Sequence, residues 1–153
     1  MRRDGNVFSW GSGSYGQIGK GFFTEALAPT QAVNGESASS TAYLRNIVKI
    51  SAGAYHNIAL SDDSSVYAWG RNDNGQLGNS TKDNSISPVR VEGIDNVVDI
   101  AVGLNHTLLL TNTGDIYAFG DGSNHQVIPE LTETALTPQK LHIKSSLEIA
   151  AVY

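Results

Sequence analysis

The chain has 153 residues, within the range of one ordinary domain, and 40% of them are hydrophobic, enough to bury a core. The formal charge is −5 and the sequence pI about 5.2, which weighs against non-specific nucleic-acid binding, because that needs Lys and Arg to neutralise phosphates. Cysteine is absent, so disulfides and thiolate metal sites are excluded, and no apolar run reaches membrane-spanning length.

The start, MRRDGNVFSWG, lacks the apolar stretch of a signal peptide, and Arg2 and Arg3 are too few to form a basic arm. A first strand is expected at Val7–Trp10, followed by the loop Ser12–Tyr15, the turn GQIG and a weak strand at Thr30–Val33 after Pro29. From Pro29 to Ile50 the chain is longer than from Pro88 to Ile100, and the surplus falls in a small, polar stretch around Ser37–Thr41. This reads as an exposed loop insertion, cheap in entropy, with an inserted binding loop as the alternative.

Next comes VYAWGRNDNGQLG, Val66 to Gly78. Its β-branched and aromatic residues suit a pleated, half-buried surface, and Asn74-Gly75 is a turn dipeptide. Four strands are expected around it: Val66–Trp69, Val89–Val91, Val97–Val102 and Thr107–Leu110. Short strands with turn signals between them are the pattern of a propeller blade. A worn copy, IYAFGDGSNHQVI, runs from Ile116 to Ile128, with His125 and Ile128 where the other copies carry glycine. The last segment, LEIAAVY, reads as the opening of a further strand.

These stretches are repeats. Trp10, Trp69 and Phe119 stand 59 and 50 residues apart, and Pro29, Pro88 and Pro138 keep the same intervals. His56 and His106 are again 50 apart, each three residues after a glycine, Gly53 and Gly103. Landmarks sharing one period mean internal repetition, with units at 4–61, 62–111 and 112–153, the third truncated. The expected fold is all-β: blades of four antiparallel strands, three consecutive repeats forming an open arc. Trp10, Trp69 and Phe119 should be buried between blades. Gly11, Gly70 and Gly120 should end strands, and Gly16, Gly75, Gly19 and Gly78 should serve sharp turns.

The pattern VYAWGxNxxGQLG, then SPVxV, then VVxIAxGxxHTLxL, resembles the repeat of the regulator-of-chromosome-condensation family, in register over nearly all of the chain. The resemblance implies β-propeller blades, usually seven to a ring. The family's founding member is a guanine-nucleotide exchange factor for the small GTPase Ran on chromatin. Other members are parts of ubiquitin ligases, ciliary scaffolds, a plant ultraviolet-B photoreceptor, and bacterial secreted or surface proteins. The photoreceptor's Trp after the third-strand glycine is replaced here by Ala54 and Leu104, which argues against light sensing. A shared scaffold leaves activity open. The compartment stays open too: cytoplasmic or nuclear in a eukaryote, surface or secreted in a bacterium.

Enzymatic signals are weak. Gly11 to Gly16 spells GxGxxG after a strand, but no helix or βαβ unit follows, so it reads as a repeat turn. Asp62-Asp63 sits in a hairpin turn, too solvated to separate two carboxyl pKa values. His56 and His106 could be metal ligands in neighbouring blades, yet a structural bond to local backbone at a strand entrance accounts for them better. No cofactor is expected. The function expected is protein–protein recognition without catalysis, with exchange on a Ran-like GTPase and a bacterial surface or inhibitor module as alternatives. The loops after each xWG step should share one rim, and their variable positions Tyr15, Arg71, Asp73 and His125 are the candidate partner contacts. For His125, drift from glycine is the alternative.

Overall fold

The computed structural model describes residues 1–35, 42–127 and 133–142, and these contain strands and turns only. The insertion at Ser37–Thr41, Ile128 and the segment LEIAAVY lie outside the described residues.

Ten strands follow one another: β1 (Phe8–Gly11), β2 (Ala26–Gln31), β3 (Ile47–Ala52), β4 (His56–Ser61), β5 (Val66–Gly70), β6 (Ser85–Arg90), β7 (Val97–Val102), β8 (His106–Thr111), β9 (Ile116–Gly120) and β10 (Ala135–Leu141). They form three antiparallel sheets: β1-β2, β3-β4-β5-β6 and β10-β9-β8-β7. The two complete sheets are four-stranded propeller blades. The first strand lies one residue later than expected. The weak strand at Thr30–Val33 is instead β2, Ala26–Gln31, while Val33 makes only an isolated bridge to Tyr43.

The sequence period and the sheets are out of phase by half a repeat. The four strands grouped in repeat two are divided, β5 and β6 in one sheet, β7 and β8 in the next. The hairpin geometry explains this. The Ser61–Ser65 turn closes with Ser61 N–H donating to Ser65 O at 2.9 Å, which ties β4 to β5 across the repeat boundary. The equivalent turn ties β8 to β9 through Thr111 N–H and Asp115 O, also at 2.9 Å. The link from β6 to β7 crosses between sheets instead. The recurring prolines fall on β2, β6 and β10. In each complete sheet that strand is an edge, where a missing N–H costs no ladder bond.

The core lies between sheets. Val7, Leu44, Ile47, Ala59 and Trp69 pack between the two-stranded sheet and the first complete blade. Ile58, Leu77, Ile100, Leu109, Phe119 and their neighbours fill the space between the two complete blades. The glycine-rich turns sit at these seams. A Cβ on Gly19 would lie 2.9 Å from Trp69 Nε1, and one on Gly78 would lie 2.8 Å from the Phe119 ring. Lys49 of β3 pairs with Asp99 of β7 across the same seam.

Trp69 and Phe119 are buried, at 1% and 0% exposure. Trp10 corrects the expectation of burial: it is 63% exposed. The cause is positional. In the two complete blades the aromatic at this place is covered by the Gly-Gln-x-Gly turn of the repeat before it, and among the described residues no such turn lies against Trp10. Truncating a buried Trp costs about 3–5 kcal/mol, and an exposed residue away from special contacts changes stability by about 0.5 kcal/mol or less. In denaturant melts, Trp69→Ala should therefore lose most of the stability of the middle blade, and Trp10→Ala should melt close to the parent. Equal losses would contradict this account of the two tryptophans.

Candidate rim site

The β3–β4 turn and the loop after β5 leave their blade at the same end, because antiparallel strands alternate direction. Arg71 N–H donates to Tyr55 O at 2.9 Å and joins the two, and the next blade repeats the bond from Asp121 N–H to Asn105 O at 2.9 Å. The loop after β1 comes to the same rim. Its turn is held by Gly16 N–H donating to Gly13 O at 3.0 Å and by Tyr15 N–H donating to Gln17 Oε1 at 2.9 Å. The second loop repeats this through Asn74 N–H and Gln76 Oε1, and the third through Asn124 N–H and Gln126 Oε1. The recurring Gln therefore braces its own loop.

These loops bring Tyr15, Tyr55, Arg71 and Asp73 into one cluster. The tyrosine rings lie 5.0 Å apart at 58°. The Arg71 guanidinium sits 5.3 Å from the Tyr15 ring centroid and 5.6 Å from that of Tyr55, within cation–π range of both. Asp73 accepts two hydrogen bonds from Arg71, Nε to Oδ1 at 2.6 Å and the terminal nitrogen to Oδ2 at 2.7 Å. That pairing holds the Asp73 carboxyl below its ordinary range and raises Arg71 further. The result is a planar cation, oriented from two sides and still open to solvent, flanked by aromatic area. Such a surface fits protein recognition.

Three of the four residues expected to contact a partner are thus together. His125 is not among them. It is exposed, keeps the turn through a hydrogen bond from its N–H to Gly122 O at 2.9 Å, and adopts φ +61. No contact links it to the cluster. Tyr55 is the residue the sequence reading missed. It stands one place before His56, where the next repeat has Asn105, so only the blade topology marks it as rim.

The histidines have a different role. A Cβ on Gly53 would meet the His56 ring at 2.9 Å, and one on Gly103 would meet His106 at 2.2 Å, so each glycine makes room for the imidazole three residues on. His56 does not bond local backbone through its ring. Its Nε2 lies 3.2 Å from Thr107 Oγ1 of the next repeat, and Thr107 Oγ1 donates to Gln76 O at 2.9 Å. The hydroxyl has one hydrogen, so it accepts from His56, which places the imidazole proton on Nε2. The other nitrogen, Nδ1, is buried with no hydrogen-bond partner among the described residues. Burial, with repulsion from His106 second, lowers the His56 pKa to about 4, and burial lowers that of His106 against the attraction of Asp121. Among the described residues, no three side chains of metal-ligating type gather.

Comparison with known proteins decides the family. The regulator of chromosome condensation (RCC1) repeat profile matches residues 4–60 and 63–110, and a second profile of that description matches 47–76 and 97–126. The chain belongs to the RCC1 repeat family. Among RCC1-repeat relatives it is similar to the human probable E3 ubiquitin-protein ligase HERC6, 39% identical over 93 residues, which is 60% of this chain and 8% of that protein. It is similar to human HERC2, also an E3 ubiquitin-protein ligase, at 36% over 95 residues, 62% of this chain and 2% of the other. The mouse RCC1 domain-containing protein 1 matches at 36% over 90 residues, 58% of this chain and 22% of the other. The chain thus spans under a quarter of each of these relatives. In structure it resembles yeast RCC1 (Prp20) bound to Kap60, TM-score 0.78, 29% identity, covering 97% of this chain and 36% of that one. It also resembles human WBSCR16, TM-score 0.76, 25% identity, covering 92% and 35%.

The buried histidine gives this RCC1-repeat chain a measurable pH response. Folded His56 takes a proton near pH 4, and an unfolded one near 6.5, so between these values the unfolded state binds more protons. The stability contributed by keeping His56 neutral is fully present above about pH 6.5, and this contribution should fall by about 3 kcal/mol as pH drops to 4. Proton NMR of the His56 ring should show a midpoint near 4; a midpoint at the ordinary value would refute the buried neutral form.

Proposed function

We propose that this chain is a non-catalytic protein-recognition module and that Tyr15, Tyr55, Arg71 and Asp73 form its partner-contacting surface. The observation that carries the reading is Arg71, held by Asp73 of its own repeat and placed over the rings of Tyr15 and Tyr55 of the repeat before it. Tyr and Arg are the residue types that most often anchor interfaces, and a preorganised guanidinium loses little freedom on binding. The relatives named as ligases support a recognition role for repeats within a larger protein, since the chain covers only 8% and 2% of them.

A second reading is nucleotide exchange on a small GTPase. It is favoured by the likeness to yeast Prp20p, a structure described together with that protein's binding to Gsp1p and histones: TM-score 0.75, 27% identity, covering 95% of this chain and 37% of that one. Gsp1p and histones are therefore the first probes for this chain.

Immobilised chain should retain a protein partner, and Arg71→Ala or the pair Tyr15→Ala/Tyr55→Ala should weaken capture by about 2 kcal/mol, roughly thirtyfold, while leaving the melting curve in place. His125→Ala should leave capture unchanged. Full capture by the Arg71 and tyrosine variants would remove this rim as the interface. Faster nucleotide release from Gsp1p in the presence of the chain would replace the scaffold reading with exchange.

A further inference from the structure

A guanidinium offers two flat faces and two edges that each carry a pair of parallel N–H bonds. At Arg71 most of these are taken from within the chain. The ring centroids of Tyr15 and Tyr55 lie 5.3 and 5.6 Å from its central carbon. The side edge is filled by Asp73, with Nε donating to Oδ1 at 2.6 Å and Nη2 to Oδ2 at 2.7 Å. The end edge is left, where Nη1 keeps two N–H groups and Nη2 keeps one. Among the described residues no acceptor is paired with Nη1. The side chain is 26% exposed, so solvent reaches it. The residues that follow the strand-ending glycine in the other repeats are Ser12 and Asp121. Neither presents a cationic fork, so this feature belongs to one seam and is not a requirement of the repeat.

Taking Tyr15, Tyr55 and Arg71 as the partner-contacting surface proposed above, we infer that the free end of Arg71 takes a carboxylate from an acidic segment of a protein partner. The two oxygens of a carboxylate match two parallel N–H bonds, so one guanidinium bridges Asp73 and the incoming group. Tyr15 and Tyr55 supply aromatic area for the apolar atoms beside that carboxylate. Charge selects between oxyanions. Arg71 and Asp73 together are neutral, so a carboxylate leaves the site at about −1, whereas a phosphate monoester leaves it near −2. A chain of formal charge −5 resists the larger charge more.

The probe is an acetylated and amidated peptide, Leu-Glu-Leu-Glu-Leu, beside versions with Gln or phosphoserine at both polar positions. In NMR titrations of the whole chain, the Glu peptide should move the side-chain resonances of Arg71, Tyr15 and Tyr55. It should bind roughly tenfold tighter than the Gln peptide, the worth of one charge-assisted hydrogen bond. Arg71→Lys keeps the charge but lacks the fork, and it should abolish that preference. Equal binding of the Glu and Gln peptides, tighter binding of the phosphoserine peptide, or an Arg71→Lys chain that keeps the full preference would each overturn the inference. If Arg71→Lys loses its cooperative melt, the ranking of the three peptides on the parent chain decides, together with which resonances move. Partner capture by Arg71→Ala separates this inference from the rim reading. Weakened capture without a Glu preference overturns the carboxylate and keeps the rim. A Glu preference lost in Arg71→Lys supports the carboxylate even where capture is unchanged.

Discussion

The seam between one repeat and the next carries this structure. A turn of the form Gly-Gln-x-Gly reaches forward and receives the aromatic ring of the following xWG step. At the first seam Gln17 O accepts both the Trp69 indole N–H, at 3.0 Å, and the Asn57 side-chain amide, at 2.8 Å. At the second, Gln76 O accepts the Thr107 hydroxyl. The glycines matter because backbone meets backbone or ring there, and Gly19 and Gly78 also adopt φ +71 and +65, which other L-residues avoid. A blade of four short strands has two faces to bury, and it buries them on its neighbours. Stability in such an array belongs to interfaces as much as to units.

That seam also positions the candidate site. The loop after β1 is clasped onto β6, and this brings Tyr15 beside Arg71 and Tyr55 of the next blade. The cluster is composed of residues that vary between repeats, held by residues that recur. Gln17, Gln76 and Gln126 brace the three loops identically, while the positions beside them read Tyr15, Asn74 and Asn124. Scaffold and specificity are therefore separated along a few consecutive residues. The buried His56–Thr107–Gln76 chain lies on the scaffold side of that division. It links adjacent blades through neutral groups, and charge introduced there lacks an acceptor at Nδ1.

The open Trp10 and the histidine at position 125 make the first and third repeats unlike the second. Trp10 lacks the cover that Trp69 has, and His125 stands where a Cβ on Gly16 or Gly75 would meet the backbone of the next blade. Repetition alone treats all three copies as equal. Their contacts do not.

By itself the sequence determined the strand type, the turn chemistry, the repeat intervals and the resemblance to the RCC1 repeat, because these are local patterns printed once per copy. It also marked Tyr15, Arg71 and Asp73 as variable loop positions. It did not determine where a blade begins, since a tandem period reads the same from any starting point. The hairpin turn at Asp62-Asp63 was legible, but the paired ladders were needed to show that it lies inside a blade, with β4 on β5 and β8 on β9, and does not separate two blades. The tertiary structure also decided burial at the repeated aromatic. Trp10 and Trp69 share the xWG step, but one is exposed and the other enclosed, because enclosure comes from a neighbouring repeat. Tyr55 joined the site for the same kind of reason: a turn remote in sequence from Tyr15 and Arg71 is brought to their rim by antiparallel pairing, which no local pattern encodes.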